Sequence, residues 1–320
     1  MVVLKKLGLR QSFNKMKFSL AVADFLTGVQ LLVVSIYNFS WSMNVSSMEL
    51  DQRQLLLTGT PEATVGGILL LLTFTSSLYH LVYMGGQRLY SMRWPVSYRF
   101  QSSLHIYVGL AVVWLLALTS STVPAWFPDC MVYTYQHTIF LFYITNTYYS
   151  GQSGNFNVLI AMMICFVVVP YIIMTCSAFV TLYSVRDNMK KSKELKHVGS
   201  ANQKGRKINK LENQMCITVA LMQLGFTITM IPLVVFNALF YGNSLTCDTG
   251  SLPFLFCFYL SMSNSLVNMT VYSFRNKAFA KKAKETLAML ICCARKEDKY
   301  LQASNTSRNT TATQVQYTVK

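Results

Sequence analysis

The chain has 320 residues, of which 52% are hydrophobic and only 12% are charged. A soluble globular protein carries about 25% charged residues, so this composition excludes a soluble fold, and the high apolar content excludes a disordered chain. The net charge of +16 would suggest nucleic acid in a soluble protein, but the basic residues here lie between long apolar runs. The composition therefore predicts an integral protein of the lipid bilayer without a nucleic-acid partner.

Six apolar runs are long enough to cross a bilayer, which takes about 20 residues. We expect helices, because a membrane barrel would show short alternating strands instead. The spans are predicted at residues 18–40, 63–84, 104–123, 157–184, 213–240 and 252–273. The predicted fold class is an all-α, multi-pass transmembrane helix bundle.

The basic residues predict the orientation of these spans. Of the 28 Lys and Arg, all except Arg53 lie in the N-terminal segment, the second and fourth connections or the C-terminal tail. Cytoplasmic segments carry such an excess of basic residues. We therefore expect a multi-pass protein of the plasma membrane with both termini of this chain in the cytoplasm. Asn38 and Asn44 begin N-x-S sequons and are candidate glycosylation sites, and Asn44 lies in a predicted outward loop.

Four polar residues inside the spans need a reason. Asp24 is the only acidic residue in any predicted span, and a mid-helix charge costs about 2.5–3.5 kcal/mol on insertion scales, so it is a functional candidate. The alternatives are an aspartate that reaches the interface or one that is protonated. Asn264, Ser265 and Asn268 share a face of the last span. They either form helix–helix hydrogen bonds, worth about 1 kcal/mol each, or share water or an ion with Asp24.

The C-terminal part divides into two segments. Residues 274–290 have apolar side chains at helical spacing and lysines between them, which predicts an amphipathic helix in the membrane interface. Cys292 and Cys293 follow directly and are either palmitoylation sites or two free thiols. The predicted organisation is a cytoplasmic segment at 1–17, a transmembrane domain at 18–273, the interfacial helix at 274–293 and a disordered tail at 294–320.

Short motifs occur at six places along the chain, and their order and spacing match those of a known family. They are Asn14 with Ser19–Asp24, Gln87-Arg88-Leu89 with Met92, Pro95 and Tyr98, Trp114, Pro170, Phe226 with Pro232, and Asn264–Asn268 with Tyr272 and Phe279. On these residues the chain resembles the rhodopsin-like (class A) G-protein-coupled receptors. The resemblance places the first span at the family's second helix, so the family's first helix would be absent. Either the sequence is a fragment, or the protein has six helices.

Several positions depart from the family pattern. Gln87 replaces the acid that normally pairs with the arginine, here Arg88, and we expect this loss to raise basal activity. Met269 replaces the proline of the seventh-helix motif, so that helix should kink less. Cys130 lacks the partner that the family's third helix usually offers, and Cys130 and Cys247 are a possible disulfide on the outer side.

The resemblance implies a receptor that binds an extracellular ligand and then opens its cytoplasmic face to a heterotrimeric G protein. Asp24, Asn264, Ser265 and Asn268 would form a polar relay, with sodium as a possible modulator and no other cofactor or metal. The residues implied in G-protein coupling and activation are Gln87, Arg88, Pro95, Phe226, Pro232 and Tyr272.

The ligand class is nearly open. Leu70 stands where the family's amine receptors carry an aspartate, which argues against a biogenic amine. Asn237 and Ser261 are weak candidates for the ligand pocket, and Asn237 could equally be an interfacial residue. The loop at residues 124–156 is rich in aromatic residues. It either covers an apolar pocket or lies in the interface as an aromatic belt.

Three classes of function other than a receptor are alternatives for this sequence. A transporter or channel would carry more intramembrane charges or broken helices in matched halves. A non-signalling fragment or decoy is compatible with the absent first helix and the altered motifs. An enzyme is not expected, because the four histidines are scattered and no nucleophile motif stands out.

Overall fold

The computed structural model describes residues 12–42, 46, 49, 52, 56–128, 131–136, 141–146, 161–194, 203–241, 247–275 and 285. In chain order its helices and strands are α1 (Ser12–Ser42), α2 (Pro61–Arg93), α3 (Pro95–Arg99), α4 (Ser103–Trp126), β1 (Met131–Gln136), β2 (Leu141–Asn146), α5 (Val169–Glu194), α6 (Gln203–Tyr241), α7 (Cys247–Met262) and α8 (Asn264–Arg275). A π-helical turn at Ile164–Val168 leads into α5.

The six predicted spans are confirmed as helices. Within the described residues, six stretches are long and apolar enough to cross a membrane, and each overlaps one predicted run. They are Asn14–Tyr37, Pro61–Arg93, Ser103–Trp126, Ala161–Lys190, Asn213–Asn237 and Pro253–Val271. The fold is thus the expected multi-pass helix bundle, with one β-hairpin that the sequence analysis did not predict.

Helix α2 is the centre of the bundle and contacts α1, α4, α5, α6 and both strands. Its ends follow from local chemistry. The Thr60 side chain accepts a hydrogen bond from the Ala63 backbone N–H, and Pro61 occupies the first turn, where its missing N–H costs nothing. The helix ends at Arg93 because Pro95 disfavours the helical conformation of the residue before it.

The last span is broken rather than continuous. Ser263 separates α7 from α8, and its Oγ donates a 2.6 Å hydrogen bond to the carbonyl of Leu260. A serine that bonds to the preceding turn competes with the backbone ladder and can bend a helix. Met269 led us to expect a smaller kink at the following turn, whereas the structure places the break six residues earlier.

Strands β1 and β2 form an antiparallel hairpin with Met131 opposite Asn146. The hairpin is held to the turn before α2, where the Gly59 N–H donates to the carbonyl of Tyr133 at 3.1 Å and the hydroxyls of Thr58 and Thr134 lie 2.7 Å apart. Gly59 has φ 74°, a conformation that glycine adopts without strain. We call the end of the bundle that carries β1 and β2 the hairpin end, and the end that carries Lys17 and Arg88 the basic end.

Pro170 has a clear structural effect on α5. Proline lacks the N–H that would donate to the carbonyl four residues earlier, which is that of Phe166. In the structure this carbonyl accepts a 2.8 Å hydrogen bond from the Tyr79 hydroxyl of α2 instead. The π-helical turn therefore connects α5 to α2.

Some predicted features lie outside the described residues. They are residues 1–11, Asn44, Cys130, the tail at 294–320, and the interfacial helix at 274–293 with Cys292 and Cys293, of which only Phe274, Arg275 and Glu285 are described. The side chains of Asn38, Cys247 and Tyr272 also lie outside the described part, so glycosylation, palmitoylation and the cysteine pairing stay predictions.

Candidate functional site

Asp24 of α1 is at the centre of a polar cluster that joins three helices. Ser265 of α8 donates to its Oδ1 at 3.0 Å, and the Nδ2 of Asn268 donates to Oδ2 at 3.2 Å. Ser77 of α2 donates to Oδ1 at 3.4 Å. The aspartate is partly buried and Asn268 is fully buried. Ser265 and Asn268 reach the carboxylate from the first turns of α8, which begins directly after Ser263, and Ser77 reaches it from α2.

Two asparagines of α8, of which Asn268 belongs to this cluster, carry amide oxygens with unused hydrogen-bonding capacity. The Oδ1 atoms of Asn264 and Asn268 are buried and have no hydrogen-bond partner among the described residues. Buried polar atoms are normally satisfied, so each such atom needs an explanation. Carboxylate, hydroxyl and amide oxygens are the donors that hard cations prefer, so the donor set of this cluster is chemically suited to a small cation.

A second polar network involves Ser19 of α1, and sequence reasoning missed its central residue. His80 of α2 is fully buried, with Nε2 2.7 Å from the Ser19 Oγ and Nδ1 2.6 Å from the carbonyl of Ser76. The indole N–H of Trp114 donates to the Ser19 Oγ at 3.0 Å. Since a carbonyl only accepts, Nδ1 must carry the proton and Ser19 must donate to Nε2. This network joins α1, α2 and α4.

At the basic end, two cationic side chains are buried close together. Arg88 of α2 is 3% exposed and Lys17 of α1 is 6% exposed. The positive charges of Arg88 and Lys17 repel each other. Gln87 is partly buried and donates to the hydroxyl of Tyr83 at 3.4 Å. Pro95 is exposed at the start of α3. Lys17, which we placed at the end of the cytoplasmic segment, is therefore part of the buried bundle.

Gln223 of α6 forms a bridge that sequence reasoning also missed. It is fully buried, and its Nε2 donates to the carbonyl of Leu81 on α2 at 3.0 Å and to the Ser177 Oγ on α5 at 2.9 Å. Gly85 makes this possible, because a β-carbon there would collide with both the amide of Gln223 and the hydroxyl of Ser177. We call these contacts the Gln223 bridge. A glutamine within an apolar run was the available sequence signal.

The predicted switch residues on α6 lie in the apolar core. Phe226 is 1% exposed, and its ring centroid lies 6.1 Å from that of Phe74 on α2. Pro232 is inside the helix and partly buried. The structure places Phe226 one helical turn from Gln223, so the bridge and the aromatic contact act on the same segment of α6.

The candidate pocket residues at the hairpin end do not converge on one point through polar groups. Leu70 is buried in an apolar cluster that also contains Tyr135 of β1. The hydroxyl of Ser261 donates to the carbonyl of Phe258 at 2.7 Å, and the Nδ2 of Asn237 donates to that of Leu233 at 2.8 Å. Both polar side chains thus bond within their own helices.

The aromatic side chains of β1 lie inside the bundle. Tyr133 is 1% exposed, packs against Gly67 of α2 and donates its hydroxyl hydrogen to the carbonyl of Ser121. Tyr135 is 3% exposed. Burial raises the pKa of both phenols, so both stay neutral at physiological pH. Of the two roles open to the aromatic loop, β1 adopts that of a cover.

The chain is similar to known proteins both in sequence and in fold. Residues 1–272 match the family model for the seven-transmembrane receptors of the rhodopsin family. Among solved structures, the fold is similar to a crystal structure of squid rhodopsin, with a TM-score of 0.67 and 15% sequence identity. The similarity covers 89% of this chain and 78% of that chain, and at this identity it speaks for the fold alone.

Proposed function

The chain belongs to the rhodopsin family of seven-transmembrane receptors, and on that premise we propose that it binds an extracellular ligand and activates a heterotrimeric G protein. The observation that carries the proposal is the family match over residues 1–272. It is supported by the cluster at Asp24, which joins α1, α2 and α8 by hydrogen bonds to one carboxylate. A ligand can shift the population between two receptor conformations only if their interactions differ. Two conformations with different helix positions would differ in the hydrogen bonds of this cluster.

The proposed orientation follows from charge. The basic end faces the cytoplasm of a plasma-membrane protein, and Arg88, Pro95 and the basic residues at 186–210 contribute to the G-protein surface. The hairpin end faces outward and receives the ligand. A fluorescent tag at the C-terminus should accordingly bind its antibody only after the cells are permeabilised.

Coupling is tested by measuring dissociation of each G-protein class in cells that express the chain. We expect output above that of cells without it, because Gln87 stands where the family has an acid. Arg88→Ala should abolish this output. Arg93→Ala, on the exposed last turn of the same helix, should leave it intact. A protein that reaches the surface and activates no G-protein class contradicts the proposal.

We further propose that the cluster at Asp24 binds a sodium ion, and this is tested separately from coupling. Asp24, Ser77, Ser265 and the free amide oxygens of Asn264 and Asn268 supply five oxygen-bearing groups for a sodium ion. A ligand of the folded state raises its thermal stability. The thermal midpoint should be higher in sodium chloride than in choline chloride for the parent, and equal in both salts for Asp24→Asn. Equal midpoints for the parent would contradict a sodium site.

A further inference from the structure

Two buried oxygen atoms near the Gln223 bridge have unused hydrogen-bonding capacity. They are Oε1 of Gln223 on α6 and Oγ1 of Thr181 on α5, and neither has a hydrogen-bond partner among the described residues. Both side chains are fully buried. Buried polar side-chain atoms are nearly always satisfied, because a group that loses water and gains no partner is strongly unfavourable. The two atoms therefore need a partner other than the side chains that surround them.

Helical spacing and the Gln223 bridge bring these two oxygens to the same junction of helices. Ser177 and Thr181 are four residues apart on α5, so they lie one turn apart on one face of that helix. The Nε2 atom of Gln223 is 2.9 Å from the Ser177 Oγ, which places the amide of Gln223 beside this face. One small molecule at the junction can therefore bond to both Gln223 and Thr181.

The residues nearest to the junction are small. Gly85 of α2 has no β-carbon, and Ala178 of α5 and Ala220 of α6 are fully buried. Ala178 precedes Thr181 by three residues and Ala220 precedes Gln223 by three residues, so each alanine shares a helix face with the polar residue that follows it. Because no side chain at these three positions is larger than a methyl group, a molecule of the size of water can lie between the helices.

The charges at this end of the bundle favour a neutral molecule. Arg88 lies one turn after Gly85 on α2 and is almost fully buried, with the charge of Lys17 nearby. Both side chains would repel a cation. An anion is also unsuitable, because the amide oxygen of Gln223 only accepts hydrogen bonds. The junction therefore requires a small neutral molecule that both donates and accepts, which is the chemistry of water.

We propose that this junction is a binding site for one buried water molecule, which joins Thr181 of α5 to Gln223 of α6. The hydroxyl of Thr181 donates to the water, and the water donates to the Gln223 Oε1 and to the Ser177 Oγ. Ser177 has a lone pair for this bond, because it donates to the carbonyl of Met174 and accepts only from Gln223. Three hydrogen bonds are typical of a buried water. The inference does not depend on the proposed receptor function.

The substitution Thr181→Val tests the site by the sign of its effect. Valine keeps the shape of threonine and removes the hydroxyl. If the hydroxyl binds a water, its loss should lower the thermal midpoint of the purified chain by about 2 °C. If the hydroxyl has no partner, its removal relieves an unfavourable burial and the midpoint should rise. A midpoint that rises or stays unchanged would overturn the proposal.

A double-mutant cycle tests whether the two side chains share one partner. Thr181→Val and Gln223→Leu each remove the water, so the double variant should lose about 2 °C less than the sum of the two single losses. The control is the cycle of Thr218→Val with Gln223→Leu. Thr218 bonds to the carbonyl of Gln214 in its own helix, so these two losses should add. Additive losses in both cycles would overturn the proposal.

A density map of the parent gives an answer that needs no variant. At a resolution that shows ordered waters, we expect one peak within hydrogen-bond distance of both the Gln223 Oε1 and the Thr181 Oγ1. This peak should be missing from the map of Thr181→Val. The proposal would be overturned by an ion surrounded by oxygen atoms, by a direct protein partner for either oxygen, or by a parent map without the peak. None of these readouts uses a G protein, so a failure of the proposed function would leave the water site standing.

Discussion

The hairpin end and the rest of the bundle are held together by different chemistry. At the hairpin end, the buried rings of Tyr133 and Tyr135 add packing contacts to the hydrogen bonds that hold β1 to the turn before α2. Deeper in the bundle, the helices are joined by side-chain hydrogen bonds, of which those of Gln223 are the best defined. The difference follows from the surroundings of each region. Burial of a ring from water is worth about 25 cal/mol per Å2, whereas lipid provides no such driving force between helices.

This comparison separates two kinds of stability. Apolar packing at the hairpin end tolerates substitution of one apolar side chain by another as long as the total side-chain volume is kept. Hydrogen bonds within the membrane depend on the position of individual atoms. We therefore expect steric changes to act most strongly on hairpin docking and polar changes to act most strongly on the relative position of α6.

The largest effect is expected for Gly67→Ala. A β-carbon at this position would overlap the ring of Tyr133, and overpacking of this kind costs about 1–3 kcal/mol. The thermal midpoint should fall, and amides of β1 should exchange with deuterium faster. Gly28→Ala is the matched control, since a β-carbon there meets no atom within 4 Å. A midpoint of Gly67→Ala at or above that of Gly28→Ala would contradict the packing of Tyr133 on α2.

Gly85→Ala should cause the next largest loss of stability, about 2 kcal/mol, because it overpacks a buried site. The added β-carbon would displace the amide of Gln223 and the hydroxyl of Ser177. Its neighbour Gly86 is exposed and meets no atom within 4 Å, so Gly86→Ala should instead stabilise the helix by about 0.5–1 kcal/mol. Thermal midpoints of the two variants that move in the same direction would argue against the Gln223 bridge.

Gln223→Leu tests the bridge without overpacking. It removes the hydrogen bonds to Leu81 and Ser177, which are worth about 1 kcal/mol together in a membrane. Because these bonds hold α6 to α2 and α5, their loss should raise basal G-protein output, by up to about fivefold for 1 kcal/mol. Gln214→Leu alters an exposed position of the same helix and should change nothing. Basal output that falls in Gln223→Leu would contradict this role.

The smallest effect is expected for Tyr79→Phe. It removes the hydrogen bond to the carbonyl of Phe166, which Pro170 leaves without a helical donor, at a cost of about 0.6 kcal/mol. The midpoint should fall slightly with no change in basal output. Tyr183→Phe on the exposed face of α5 is the control, with a side chain 76% exposed. A clear change in output would show that the π-helical turn also affects coupling.

The sequence predicted the spans and, of the Asp24 cluster, Asp24, Ser265 and Asn268, but it did not predict Ser77. Long apolar runs have no stable alternative in a membrane, and Asp24 was conspicuous as a lone charge. The polar face of α8 followed from helical spacing, and the family motif added the same residues. The spans and the polar face depend on local patterns, whereas the link from Asp24 to Ser265 and Asn268, 241 and 244 residues away, was inferred from residue type.

The sequence did not predict the hairpin or the Gln223 bridge. Tyr133, Thr134 and Tyr135 are all buried, so β1 lacks the alternation of a half-buried strand, and a six-residue strand gives a weak signal beside spans of over 20 residues. The role of Gln223 depends on Leu81 and Ser177, which are 142 and 46 residues away. Such contacts are fixed by how helices pack, and a single sequence does not contain that information.

The π-helical turn changes which face of the span is occupied by the residues that precede it. A π-helical turn contains one extra residue, so residues before Ile164 are rotated by about 100° relative to a regular helix counted back from Pro170. Met162 and Met163, which line a small cavity with Thr75 and Ser120, lie beyond that insertion. A regular helix counted back from Pro170 would place both methionines on the wrong face, and mutagenesis planned from it would address lipid contacts in place of bundle contacts.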